Sequence, residues 1–339
     1  MLGINEQRVT SWFVDNIEGA LAPFEFSIIA GGHSNLTYRL VGADGRAFVL
    51  RRPPLGHVLA TAHDMEREHR IVSAVGQTNV PVARCWGLCT DVEVNEAPFY
   101  VMNFVEGVVL DNPDKAVDLA PDTKRALAFA LVDVLADLHA VDVDAIGLGN
   151  LAKRDGYVER QVKRWSTQWD NSKTREIPAI EELKVRLRDG IPEQQGVSIA
   201  HGDYRFGNCM IDLQNRKIAA VLDWELCTLG DPLADLGYIG VYWSDPGIPT
   251  GRANDPTSAG GFPAYSELVA RYAQRTGRDV SKVAYYKAFS SFRLAVISEG
   301  VYARYLHGVM GHAEAEVIEQ FKVGPENLAN AALAAVNEL

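Results

Sequence analysis

The sequence predicts an α+β protein of two lobes, a small antiparallel-sheet lobe with one helix followed by a larger, mainly helical lobe. Three observations carry this. The first hundred or so of the 339 residues alternate apolar runs with Gly/Asp turns, as paired strands do. After Gly107 the apolar spacing becomes helical. Finally, a polar stretch at 201–208, "HGDYRFGN", lies between two apolar strand-like runs, which is unusual for a surface loop. The expected lobes are residues 1–105 and 106–339.

Composition narrows the class. The chain is 47% hydrophobic and 23% charged, ordinary globular values. A chain this long buries enough apolar surface to need no disulfide or metal staple. The net charge of −11 shows no basic face for nucleic acid. No apolar run approaches the ~20 residues of a membrane span, and the opening residues lack the pattern of a signal peptide. Cys85 and Cys89 have the spacing of half a zinc site, but no second Cys/His pair matches it. Buried, reduced thiols in a cytoplasmic protein are the expectation.

In chain order, "FEFSIIAGGHSNLTYRLVGADGRAFVLRRPP" contains three strands, two of them joined by the turn "GADG". "TAHDMEREHRIVSAVGQ" has a helical stripe of Met65, Ile71, Val72 and Val75. "PVARCWGLCTD" and "APFYVMNFVEG" read as two further strands. Helices follow at "DTKRALAFALVDVLADLHAVD", with Asp122 as start signal, and at "REIPAIEELKVRLRDG". After the strand-loop-strand unit of 197–224, "GDPLADLGYIGVYW" opens a helix with Asp231 at the N-cap and Pro232 at N1. A Gly/Pro-rich loop at 244–263 leads to long helices over 264–309.

The chemistry concentrates at 203–223. Asp203 and Asn208 lie five apart, and Asp223 ends the next apolar run. A tight return between two strands brings Asp223 beside Asn208. Together they form a hard oxygen pair of the kind Mg2+ takes, with phosphate and water completing the shell. Asp203 is left to accept a proton from a hydroxyl. A capping network in a polar turn explains Asp203 alone equally well, but it gives no reason for the pairing with Asp223.

The spacing Asp203-x-x-x-x-Asn208 matches the catalytic loop of protein kinases. With His-Gly-Asp in that loop and "VLDWELCTLGDPLADLGY" after it, the chain resembles the aminoglycoside phosphotransferase and choline kinase-like family. Within it, the wording is most similar to the kinase-like domains fused in animals to acyl-CoA dehydrogenases. The resemblance covers roughly 25–310 and implies a protein kinase-like fold using ATP and Mg2+. It implies Asp203 as catalytic base, Asn208 and Asp223 as metal ligands, and Asp231 and Asp235 as structural supports. His201 reads as bracing the loop rather than moving a proton. Arg205 faces either substrate or a neighbouring carboxylate.

The first lobe is then expected to hold the nucleotide. In "AGGHSNLTY" the glycines allow backbone N–H groups to approach phosphate, with Ser34 and Asn35 adding polar contacts. "FVLRR" takes the place of the kinase strand bearing the phosphate-binding Lys. Strand alternation admits only one of Arg51 and Arg52 to the site, and the resemblance favours Arg51. Its carboxylate partner is Glu66 or Glu68, which lie roughly 200° apart on a helix; the frame "EREHRIV" favours Glu68. "FYVMNFVEG" matches the hinge, so Met102 is expected to wall the purine pocket and the backbone of Asn103, Phe104 and Val105 to bond it.

The acceptor is expected on 157–170 and 242–310. Between 244 and 311 eight basic residues stand against five acidic ones, a poor lining for a polycationic aminoglycoside. A neutral or anionic small-molecule hydroxyl compound fits better, and the fused-domain resemblance adds a hydroxyacyl thioester. Tyr157, Trp165, Trp169, Tyr242 and Trp243 are candidate walls, or core. The rival readings are an aminoglycoside phosphotransferase, an idle nucleotide-binding scaffold and a metal-dependent phosphohydrolase.

Overall fold

The computed structural model describes residues 1–30, 35–55, 64–248, 250, 252, 254–309 and 314–337. They form two compact units. The first comprises Met1–Val109, Val143–Gly149 and Asn208–Cys227; the second comprises Leu110–Asp142, Asn150–Gly207 and Thr228–Leu339. The second apolar run of the polar-loop region therefore packs with the N-terminal part, although it lies a hundred residues beyond the expected boundary at 105.

The first unit is built on a five-stranded antiparallel sheet of order β1-β2-β3-β5-β4. Its strands are β1 (Glu25–Ala30), β2 (Leu36–Val41), β3 (Ala47–Arg52), β4 (Cys85–Cys89) and β5 (Phe99–Asn103). The helix expected between β3 and β4 is α2 (Met65–Val75), capped by the Asp64 side chain on the Arg67 N–H. Its buried positions Met65, Glu68, Val72 and Val75 follow helical spacing, so a glutamate sits within the apolar stripe. Two helices were not anticipated, α1 (Glu6–Asn16) and the short α3 (Val92–Asn95). In α1, Trp12 packs edge-on to Phe99 at 4.9 Å and Phe13 against Phe24 at 5.1 Å. Only Val9 and Phe13 of α1 are buried, too thin a stripe to recognise in sequence.

A hairpin of β7 (Cys209–Asp212) and β8 (Lys217–Val221) completes this unit. The Leu222 N–H donates to the Asn208 carbonyl at 2.8 Å, so the return strand ends beside Asn208.

The second unit is mostly helical: α4 (Pro121–His139), α5 (Tyr157–Ser172), α6 (Pro178–Asp189), α7 (Leu233–Val241), α8 (Tyr265–Thr276), α9 (Val283–Leu306) and α10 (Ala315–Asn337). Asp122 is not the cap of α4. Pro121 takes N1 and no side chain caps the helix, so Asp122 supplies only first-turn charge. β6 (Ser198–Ala200) pairs with β9 (Thr228–Gly230), a strand too short to read from sequence. Of the candidate pocket walls, Trp169 is wholly buried and donates its indole N–H to Glu181, while Tyr157 is buried beneath Gly230; both are core. No helix among the described residues is long and apolar enough to cross a membrane.

Candidate active site

In the first unit, Arg51 is the centre of a charged cluster. Adjacent strand residues point to opposite faces. Arg52 accordingly turns away, donating to the carbonyls of Pro53 and Gly3. Arg51 Nε lies 3.0 Å from Glu68 Oε1 and its Nη2 2.6 Å from Asp223 Oδ1. Glu66 is exposed, so Glu68 is the partner. Two members had no role in the sequence reading. Tyr100 donates its hydroxyl to Glu68 at 3.0 Å, and Glu225 Oε2 lies 3.8 Å from Arg51. Asn35 donates its amide to Glu225 at 3.3 Å and to Glu68 at 3.5 Å, so it holds carboxylates. Ser34 lies outside the described residues.

Burial raises the Glu68 pKa, partly opposed by Arg51 and the Tyr100 hydroxyl. Burial disfavours the Arg51 charge, but Glu68 and Asp223 outweigh it and the guanidinium stays protonated. Three carboxylates around one guanidinium leave an excess of negative charge, which a divalent cation can offset. Asp223 has a φ of 62°, a left-handed conformation that an Asp tolerates better than most residues. Its carboxylate and the Asn208 amide are hard oxygen donors and fit Mg2+. Among the described residues no group of three His, Cys, Asp or Glu side chains is arranged to hold a metal by itself. Burial pushes the Cys85 thiol up to about 11, which makes it unreactive at neutral pH.

At the end of β5, the Asn103 N–H donates to the Arg84 carbonyl at 2.9 Å and the Phe104 N–H to the Ala47 carbonyl at 3.3 Å. Both are therefore engaged within the protein. Of the three hinge N–H groups, that of Val105 makes no backbone bond among the described residues. Met102 is half-buried beside it.

In the second unit, Asp203 follows Gly202, whose φ is 85°. Asp235, wholly buried on α7, accepts the N–H groups of His201 at 2.7 Å and Gly202 at 2.8 Å. It also takes His139 Nε2 at 3.3 Å. Burial opposes ionisation of Asp235, yet these hydrogen bonds hold its carboxyl below the usual range. Burial lowers the His139 pKa, so the ring is neutral. Nε2–H then donates to Asp235, and Nδ1 accepts the Tyr272 hydroxyl at 2.7 Å. His201 is also buried, its Nδ1 accepting the Asp203 N–H at 3.2 Å. Asp231 accepts the N–H groups of Leu233 and Gln195 and the Tyr286 hydroxyl; α7 begins at Leu233 with Pro232 in the cap position, one residue later than expected, so Asp231 supports the first helical N–H from just before the cap.

The Asp203 carboxylate faces the Tyr238 hydroxyl, and Arg205 Nε lies 3.6 Å from it. Burial and this carboxylate raise the Tyr238 pKa well above its ordinary value, so the phenol stays protonated. Neither His139 nor Tyr238 was singled out in sequence; each is one polar residue in an apolar helical stripe. A groove of about 660 Å3 runs past the ends of α5 and α9, where Lys173, Arg304 and His307 line it.

An antiparallel sheet with a buried Arg–Glu pair, and a helical unit bearing a braced Asp loop, define a kinase-like phosphotransferase fold. The chain belongs to the phosphotransferase enzyme family, whose model matches residues 25–273. It is 36% identical over 298 residues to acyl-CoA dehydrogenase family member 10 of Mus musculus, covering 87% of this chain but only 28% of that protein. A crystal structure of a candidate aminoglycoside phosphotransferase from Ralstonia eutropha superposes with a TM-score of 0.83 at 35% identity, over 97% of this chain and 98% of that one. A thermostable aminoglycoside phosphotransferase mutant in ternary complex with ADP and hygromycin B shares the fold, with a TM-score of 0.63 at 14% identity over 98% of each chain.

Proposed function

We propose that the chain is an ATP- and Mg2+-dependent small-molecule kinase that transfers the γ-phosphoryl group to an acceptor hydroxyl. The intact set of Asp203, Asn208 and Asp223 within this family carries the reading. Asp203 accepts the hydroxyl proton as the oxygen attacks phosphorus, and Tyr238 holds its carboxylate in place. Arg51, backed by Glu68, steadies the phosphates. The Val105 N–H and the neighbouring carbonyls bond the purine. Asn208 and Asp223 would hold Mg2+, which supplies neutralisation of phosphate charge when bound. The acceptor is neutral or anionic, with a hydroxyacyl thioester among the candidates. The free thiols and acidic charge suit a cytoplasmic enzyme.

The test is a mass-spectrometric screen of hydroxyl metabolites with ATP, seeking the gain of one phosphoryl group. With the acceptor so found, Asp203→Asn should lower kcat by about 10²–10⁴-fold, the range for loss of a general base, while nucleotide binding persists. Unchanged turnover would remove Asp203 from the mechanism. Free phosphate with no phosphorylated acceptor would indicate a hydrolase instead.

A further inference from the structure

Three arginines from distant parts of the chain meet on two tyrosines, Tyr238 within α7 and Tyr242 at its C-cap. Tyr238 and Tyr242 are four residues apart and share one helix face, with hydroxyls 3.5 Å apart. The Arg205 and Arg252 guanidinium carbons lie 4.8 and 4.6 Å from the centre of the Tyr242 ring. That of Arg293, from α9, lies 5.0 Å from the centre of the Tyr238 ring. Arg205 Nε lies 3.6 Å from the Asp203 carboxylate. Among the described residues Arg252 and Arg293 form no ion pair and the Nε–H of all three arginines, shielded from solvent, has no hydrogen-bond partner, while Arg252 Nη2 donates to the Tyr242 hydroxyl at 3.5 Å. All three side chains are half-buried, and a guanidinium withdrawn in part from water ordinarily has a carboxylate partner. Arg205 has Asp203 as its counter-ion, whereas stacking on tyrosine orients Arg252 and Arg293 without neutralising them.

We propose that this cluster is the acceptor's anion site: Arg252 and Arg293 bind a carboxylate or phosphate group on the molecule whose hydroxyl faces Asp203. The inference rests on the kinase reading for the part played by Asp203; the cluster itself is independent of it. A planar guanidinium fork matches either oxyanion. A cationic acceptor brought here is repelled by three arginines against one carboxylate, so the same residues that select an anion exclude an aminoglycoside.

The experiment is calorimetric titration of the full chain, first with Mg·ADP and then, at saturating Mg·ADP, with four probes. Two probes carry a hydroxyl and an anion, 3-hydroxybutyrate with a carboxylate and glycerol 3-phosphate with a phosphate. Two are their neutral counterparts, 1,3-butanediol and glycerol. At least one anionic probe should bind tenfold or more tightly than its neutral counterpart, and which one does so identifies the oxyanion. Arg252→Gln and Arg293→Gln should each lose that preference, and Arg293→Lys should retain part of it. Mg·ADP binding, which does not use these residues, reports that each variant is folded. Equal binding of anionic and neutral probes, no binding of either anion, or full preference in both Gln variants overturns the anion site while leaving the kinase reading intact. Anion preference in a chain that does not bind Mg·ADP supports the anion site and overturns the kinase reading.

Discussion

Gly202 shows why this chain reads His-Gly-Asp where protein kinases have His-Arg-Asp. Its φ of 85° is a conformation that side chains rarely adopt. That turn aims the N–H groups of His201 and Gly202 at Asp235, which leaves the Asp203 carboxylate to Tyr238 and Arg205. The support continues through His139, and its neutral state makes stability pH-dependent. The unfolded chain takes up a proton near 6.5, whereas burial delays that uptake by His139 to lower pH. Protonation between those values favours the unfolded state. Stability is therefore full above 6.5 and falls as the pH drops below it. Urea midpoints measured from pH 7.5 to 5 should show this decline. In His139→Gln, which keeps one donor and one acceptor, the decline should be shallower; His69, also lowered by burial, supplies the remainder.

At the scale of elements, α7 carries the support of the catalytic loop, and its position depends on close packing against α9. A Cβ added at Gly237 would stand 2.5 Å from the Tyr286 backbone carbonyl carbon, which has no flexible end to move aside. Ala gains about 1 kcal/mol over Gly from helix propensity, but overpacking costs about 1–3 kcal/mol. Gly237→Ala should thus be destabilising on balance. Gly300 on α9 has nothing within 4 Å of its Cβ position. Gly300→Ala should stabilise by about 0.5–1 kcal/mol. Denaturant midpoints of the two variants should move in opposite directions. The elements differed in how legible they were. β1 to β3 and α2 have local signals, a Gly/Asp turn and a helical stripe. α1 buries two side chains and β9 has three residues, so neither carries enough period to read.

For the whole molecule, ligand linkage is the direct check on the nucleotide half. A ligand that binds only the folded chain stabilises it by about 2.7 kcal/mol at a hundred times its Kd. Mg·ADP should therefore raise the thermal midpoint, and excess EDTA should remove most of that rise. Asp223→Asn is the apt variant, because Asn also tolerates the left-handed backbone at φ 62°. It should lose the Mg2+-dependent part of the rise and keep the rest.

What the sequence determined by itself are the features with a short-range cause. The five-residue spacing of Asp203 and Asn208, the return of β8 to Asn208, and the rule that only one of Arg51 and Arg52 and one of Glu66 and Glu68 can face the site all follow from local geometry, whereas the preference for Arg51 came from the family resemblance. Only the tertiary structure decided what these residues face. It turned Asn35 onto carboxylates, engaged the Asn103 and Phe104 N–H groups within the protein, and put His139 beneath Asp235. It also gathered Arg205, Arg252 and Arg293 on two tyrosines. Periodicity and turn chemistry act over a few residues, whereas these contacts join segments tens of residues apart. Packing of the helices creates them, and no local pattern in the chain records it.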